Sequence, residues 1–321
     1  MPHLQAEHVR PVGTEQSNTS LVYDDAVILK VFRRLADGPN PEVEVTEGLA
    51  EVGFTHVAEP LGSWRQEGRD LAFAQRFLAG GTEGWALALT SLRELYADPC
   101  DPAEAGGDFG AEAHRLGEVT ADLHIALAQA FGRFPGSADH WADLMEDQVK
   151  RVLSGDMAEG ARRLVSRLRE LDDPGPAIRV HGDYHLGQVM QTDSGWYVLD
   201  FEGEPARPLA ERVRPTSPLK DVAGMLRSFG YAPAVAMVTQ EEDVTALARA
   251  WEARNRASFL DGYMARAVDA AIVPEDPVAR SAVVAAFELD KAVYEVAYEQ
   301  AHRPDWVEIP TRALAQLVGA N

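Results

Sequence analysis

The sequence predicts an α+β chain of two lobes, a small antiparallel β-sheet lobe with one helix followed by a larger, mostly helical lobe. Three observations support it. Residues 14–32 and 57–77 read as polar or turn residues between short strand-like runs, with one helix signal between them. From Glu83 onward apolar residues recur at helical spacing. Inside that helical part stand two short apolar strands, 178–180 and 196–199, each running into acidic residues at its end.

The 321 residues allow one large domain or two smaller ones, and at 46% hydrophobic they supply a substantial core. We place the lobe boundary near Gly80-Gly81, giving residues 1–80 and 81–321. The formal net charge of −21 argues against a broad electrostatic grip on nucleic acid or an anionic membrane. A single cysteine, Cys100, excludes an internal disulfide and fits a reducing cytoplasm, the expected location. Residues 1–13 hold no apolar run of the signal-peptide kind. No stretch approaches the roughly 18–20 apolar residues of a spanning helix.

In the first lobe, the polar run 14–20 lies between strand-like segments, and Asp24-Asp25 reads as a turn. Gln16, Ser17 and Ser20 are candidates to fold over phosphates through backbone N–H groups and hydroxyls. No G-x-x-x-x-G-K-[ST] string is present, which argues against a P-loop. Lys30 ends the strand Val27-Ile28-Leu29, and V-I-L-K resembles the V-A-I-K strand whose lysine meets nucleotide phosphates. Pro41-Glu42 opens a helix over 41–50. It is expected to supply the carboxylate that holds Lys30, either Glu44, where the family resemblance given below implies the acid lies, or Glu47, one turn on. Strands over 57–64 and 70–77 flank the turn Gln66 to Arg69, and the backbone from Gln75 through Phe77 to Leu78 is the positional candidate to meet adenine.

In the second lobe, Leu116, Val119, Leu123 and Leu127 make one apolar helical face. Helices are also predicted over 141–153 and 159–171, and 172–176 releases the chain into the acidic strands. Strands 178–180 and 196–199 are expected to form a hairpin about Thr192 to Gly195, gathering Asp183, Gln188 and Asp200 in one cleft. The spacing is H-x-D-x-x-x-x-Q, then D-F-E, close to the kinase pattern H-R-D-x-x-x-x-N plus D-F-G. Phosphoryl transfer needs such a set: one carboxylate to orient the attacking hydroxyl, and oxygen ligands to hold Mg²⁺ against the phosphates. Asp183 suits the first task, and Gln188 and Asp200 the second, with Glu202 supporting metal or sugar. His181 is expected to pin loop backbone, while His185 faces the acceptor or packs. Asp221, opening the helix after Ser217-Pro218, is either a support of the loop or a helix-start acid. The stretch 205–218, with three arginines between prolines, reads as a substrate-side loop or a solvated connector. It lacks a phosphorylatable segment ending in A-P-E, which favours a small acceptor over a protein.

HGDYHLGQVM, WYVLDFEGEP, SPLKDVAGMLRSF and the late DKAVYE make the chain resemble the actinobacterial maltokinases and maltokinase-like glucosamine kinases, within the aminoglycoside-phosphotransferase-like kinases. The resemblance covers nearly the whole chain and implies a two-lobed protein-kinase-like fold, ATP and Mg²⁺ as cofactors, and a sugar or amino-sugar acceptor. It also implies an acceptor role for Lys291, Tyr294 and Glu295 on the helix 283–302, where aromatic and charged residues share a face, with Trp306 closing the same pocket. Maltokinases carry an additional N-terminal cap region, so the shorter chain is expected to suit glucosamine better. A carboxylate pair such as Asp183 and Glu295 would then bind its ammonium. Maltose 1-phosphorylation and aminoglycoside modification remain alternatives. From other classes, so do a metallohydrolase using His181, Asp183 and His185, and a catalytically silent sugar or nucleotide sensor.

Overall fold

The structure is a computed structural model that describes residues 6–13, 18–35, 37–238 and 240–319. The first part builds strands β1 (Val9–Val12), β2 (Asn18–Tyr23) and β3 (Val27–Phe32), helix α1 (Pro41–Glu51), then β4 (Pro60–Gln66) and β5 (Arg69–Arg76). The strands form one antiparallel sheet in the order β1-β2-β3-β5-β4. Two of its corners are tight because their central residues take positive φ: Asp24 and Asp25 at 49° and 51°, Glu67 and Gly68 at 52° and 78°. Register puts Ser20 and Phe73 on either side of Lys30. Helix α1 starts where expected, with Pro41 in its first turn and Asn40 accepting the Glu42 N–H at 2.8 Å. Its Val43 packs with Phe32 and Phe73 under the sheet.

The chain continues through β6 (Thr82–Glu83), α2 (Gly84–Ala97), α3 (Gly110–Phe131), β7 (Arg133–Pro135), α4 (Ala138–Val152), α5 (Gly155–Arg169) and β8 (Pro176–Ile178). The remaining elements are β9 (Val189–Thr192), β10 (Gly195–Val198), α6 (Leu209–Arg212), α7 (Leu219–Met237), α8 (Thr245–Ala267), α9 (Pro277–His302) and α10 (Glu308–Gly319). The predicted face of α3, Leu116, Val119, Leu123 and Leu127, is buried. Helices α3 and α8 touch along their backbones: a Cβ at Gly117 would lie 2.2 Å from the Phe259 carbonyl, and one at Gly262 2.1 Å from that of His114. Any side chain there would force the pair apart. Among the described residues no helix is long and apolar enough to cross a membrane.

Two sequence expectations are corrected. The hairpin about Asp193-Ser194 is made by β9 and β10, not by 178–180 and 196–199. Strand β8 instead pairs with β7, and Ile178 bridges Thr216. A strand of three residues carries little pairing preference of its own, so its partner is set by tertiary context. The stretch 205–218 is not loose. Arg207 reaches Glu204 and Asp290, Arg212 donates to the Glu202 carbonyl at 2.7 Å, and Arg214 meets His140 at 3.1 Å.

Candidate active site

Strand β8 delivers the chain to a buried loop whose backbone is held from below. Asp221, in the first turn of α7, accepts the N–H groups of His181 and Gly182 at 2.8 and 2.9 Å. It also accepts from His124 Nε2 at 3.1 Å, and the Tyr263 hydroxyl donates to His124 Nδ1 at 2.9 Å. Burial works to raise the Asp221 pKa, but His124, His181 and the Gly182 N–H together hold it below the usual carboxylate range. His181 donates through Nε2 to the Leu199 carbonyl at 2.8 Å and accepts the Asp183 N–H on Nδ1 at 3.3 Å. Its ring lies 4.9 Å from that of Phe201. Gln188 accepts the Leu199 N–H at 2.9 Å, so the loop and the D-F-E segment are tied backbone to backbone. Asp200 sits at φ 59°, a strained conformation for a residue with a side chain.

Asp183 Oδ1 accepts from Lys291 Nζ at 2.8 Å, and the same nitrogen lies 2.8 Å from Glu204 Oε1. Glu204 also accepts from Arg207, which reaches Asp290 at 3.1 Å. Burial pushes the Asp183 pKa up, but Lys291 and then His185 outweigh it and leave the carboxyl below its ordinary value. Lys291 lies in the acceptor cavity as expected, yet its ammonium is bonded to two carboxylates, which the sequence did not indicate. Burial holds His185 below the ordinary imidazole pKa, and its Nδ1 accepts the Gly187 N–H at 3.0 Å.

On the sheet side, Lys30 meets Glu42 at 2.5 Å, which corrects the expected partner. Glu44 instead lies 3.5 Å from Arg179, and Glu47 accepts from Ser63 at 3.2 Å. Glu42 and Glu44 are two residues apart on a helix, hence on different faces, and it is Glu42 that is buried toward the sheet. Burial raises the Glu42 pKa to about 7, with Lys30 opposing and Asp200 adding to the rise. Carboxylate oxygens of Glu42, Asp200 and Glu202 lie within 4.8 Å of one another. Gln188 Nε2 donates to Asp200 at 3.3 Å, and Asn18 Nδ2 to Glu202 at 3.0 Å. Ser20 is buried beside Lys30 in the sheet. Gln16 and Ser17 fall outside the described residues. Gln75 is buried in β5, and the Phe77 N–H is bonded to the Ala26 carbonyl at 2.8 Å. That amide is therefore committed to the first lobe.

Asp183, His185, Lys291, Tyr294, Glu295 and Trp306 line one cavity of about 400 Å³. Tyr294 stacks on Tyr298 at 6.2 Å, and Trp306 on Tyr231 at 6.4 Å. Both carboxylates of the expected ammonium pair hold a cation, Asp183 through Lys291 at 2.8 Å and Glu295 through Arg227 at 2.7 Å. Glu299 holds Arg303 at 2.6 Å. Among the described residues, Glu83 is the carboxylate lining this cavity that has no ion-pair partner. Sequence reasoning missed Glu42, Glu83 and Glu204, while Asn18 lay in the polar run 14–20. Only Glu42 carried a signal, its place in the first turn after Pro41.

The model of the phosphotransferase enzyme family matches residues 8–271. A glucosamine kinase of Streptacidiphilus jiangxiensis is 30% identical over 333 residues, spanning 96% of this chain and 73% of that protein. A glucosamine kinase of Mycolicibacterium smegmatis is 27% identical over 325 residues, spanning 96% of this chain and 79% of its own. A solved structure of glucosamine kinase with glucosamine, ADP and inorganic phosphate superposes with a TM-score of 0.81 at 27% identity, over 97% of this chain and 80% of that one.

Proposed function

The chain belongs to the phosphotransferase enzyme family, and from that premise we propose that it is an ATP-dependent kinase that transfers the γ-phosphate to the 6-hydroxyl of glucosamine. One observation carries the reading. Asp183 lines an aromatic cavity of monosaccharide scale, while its own loop is tied through Gln188 to Asp200 and so to the acidic cluster beside Lys30. The relatives named glucosamine kinase and the structure holding glucosamine and ADP support the same substrates.

In this mechanism the sugar stacks on the cavity's rings, and Asp183 accepts a hydrogen bond from its 6-hydroxyl. The oxygen attacks the γ-phosphorus, the bond to the β-phosphate oxygen breaks, ADP leaves, and Asp183 takes the hydroxyl proton late in the transfer. Lys30, held by Glu42, meets the nucleotide phosphates. Asp200 and Glu202, with the Gln188 amide oxygen, offer the hard oxygen donors that Mg²⁺ prefers. The buried Glu42 Oε2 has no hydrogen-bond partner, and it fits the same donor set. Bound there, Mg²⁺ would neutralise charge on the phosphates. Glu83 is our choice for the amino group.

The test is ADP release with ATP and Mg²⁺ against glucosamine, glucose, maltose and kanamycin, with ³¹P NMR of the product. Glucosamine 6-phosphate is expected; preference for another acceptor, or no ADP release with any, would overturn the assignment.

A further inference from the structure

We propose that Glu204, acting through Lys291, is the residue that positions Asp183 for transfer. The inference rests on the kinase reading of this cleft and deepens it. Five charged groups alternate in one chain: Asp183, Lys291, Glu204, Arg207 and Asp290. Glu204 is its centre, with a side chain only 1% exposed. Its Oε1 accepts from Lys291 at 2.8 Å, its Oε2 accepts from Arg207, and Lys220 lies 3.8 Å away. Lys291 and Asp290 come from α9, Lys220 from α7, and Asp183 from the loop before β9. Apart from the Tyr294 ring, 4.9 Å from the Lys291 ammonium, Glu204 is the group described that anchors Lys291 on the side away from Asp183.

The consequence for the carboxylate is geometric. Lys291 occupies Oδ1 of Asp183, which leaves Oδ2 to face an acceptor hydroxyl in the cavity. A lysine ammonium on a flexible stem holds that geometry only if its other donors are also fixed. Glu204 fixes one of them, and Arg207 fixes Glu204. A displacement of about 1 Å at a reacting carboxylate costs on the order of 10²-fold in rate.

The groups facing Asp183 act with known sign. Lys291 and His185 favour its ionised form, and Glu204 opposes it. Lys291→Met therefore raises the pKa of the acid limb in kcat/KM, and Glu204→Gln lowers it. A residue with a merely structural role moves neither. The expected results are a kcat of Glu204→Gln reduced on the order of 10²-fold, KM values for sugar and ATP within about twofold, and limbs of the two variants displaced in opposite directions. Glu204→Asp, which keeps the charge but retracts it, should leave the limb in place and recover part of kcat. Wild-type kcat in Glu204→Gln, or limbs moving the same way, would overturn the proposal. If Glu204→Gln does not fold, Glu204→Asp decides: a displaced limb or full wild-type kcat sinks the idea, and partial kcat with an unmoved limb supports it. A wild type that releases no ADP with any acceptor would instead defeat the kinase reading, a separate result.

Discussion

Asp221 Oδ1 accepts the N–H of Gly182 at 2.9 Å, although the two residues stand 39 positions apart in the chain. The same carboxylate takes the neighbouring His181 N–H and the ring of His124, so one buried acid sets the path of the loop that carries Asp183. Asp221→Ala would leave two backbone donors and a histidine buried without an acceptor. A loss of about 3 kcal/mol or more is expected, read by urea unfolding.

The same carboxylate predicts a pH dependence. Its folded pKa is depressed, so its contribution is complete above the unfolded value of about 3.9 and is lost as pH falls through the folded one. The stability gap between the wild type and Asp221→Asn should therefore be constant from pH 5 to 8 and narrow below about pH 4. A gap that widened on acidification would contradict the ionised state assigned to Asp221.

Glu42 and Glu44 give a paired test of the lysine's partner. Glu42→Gln should lower kcat/KM for ATP by about 10- to 100-fold, the range expected for a hydrogen bond to a charged group. Glu44→Gln, whose side chain faces Arg179, should stay within about twofold. Steady-state kinetics at fixed sugar and varied ATP separates the two, and equal losses would show that Lys30 has no preferred partner.

Asp183→Asn should reduce kcat by about 10²- to 10⁴-fold, the range of a general base. Nucleotide binding measured by calorimetry should be unchanged, because Asp183 touches Lys291 rather than Lys30. Undiminished turnover would remove Asp183 from the chemistry.

Trp306→Ala should raise KM for glucosamine and for glucose alike, by about tenfold, since ring stacking does not sense an amine. Glu83→Gln should raise KM for glucosamine while leaving that for glucose unchanged. Parallel effects of Glu83→Gln on both sugars would take the ammonium away from Glu83.

Much of the site was legible because its chemistry is local. His181, Asp183, Gln188, Asp200 and Glu202 lie within 22 residues of one another, and their spacing at the ends of strand-like runs suggested a metal-and-phosphate cleft. The V-I-L-K strand and the Pro-Glu helix start were legible for the same reason, since propensity and capping act over a turn or two. Hairpin partners were not, because β8 is three residues long and pairs with a strand more than 40 positions upstream.

By itself the sequence determined the two-lobed division into sheet and helices, the H-x-D and D-F-E acids and the lysine that answers them. The tertiary structure decided which acid meets which base: Glu42 rather than Glu44 for Lys30, Arg227 for Glu295, and Lys291 shared between Asp183 and Glu204. The physical reason is that an ion pair is chosen by burial and by distances of a few ångströms between side chains. Those distances exist only once helix faces have packed, and no spacing along the chain encodes them.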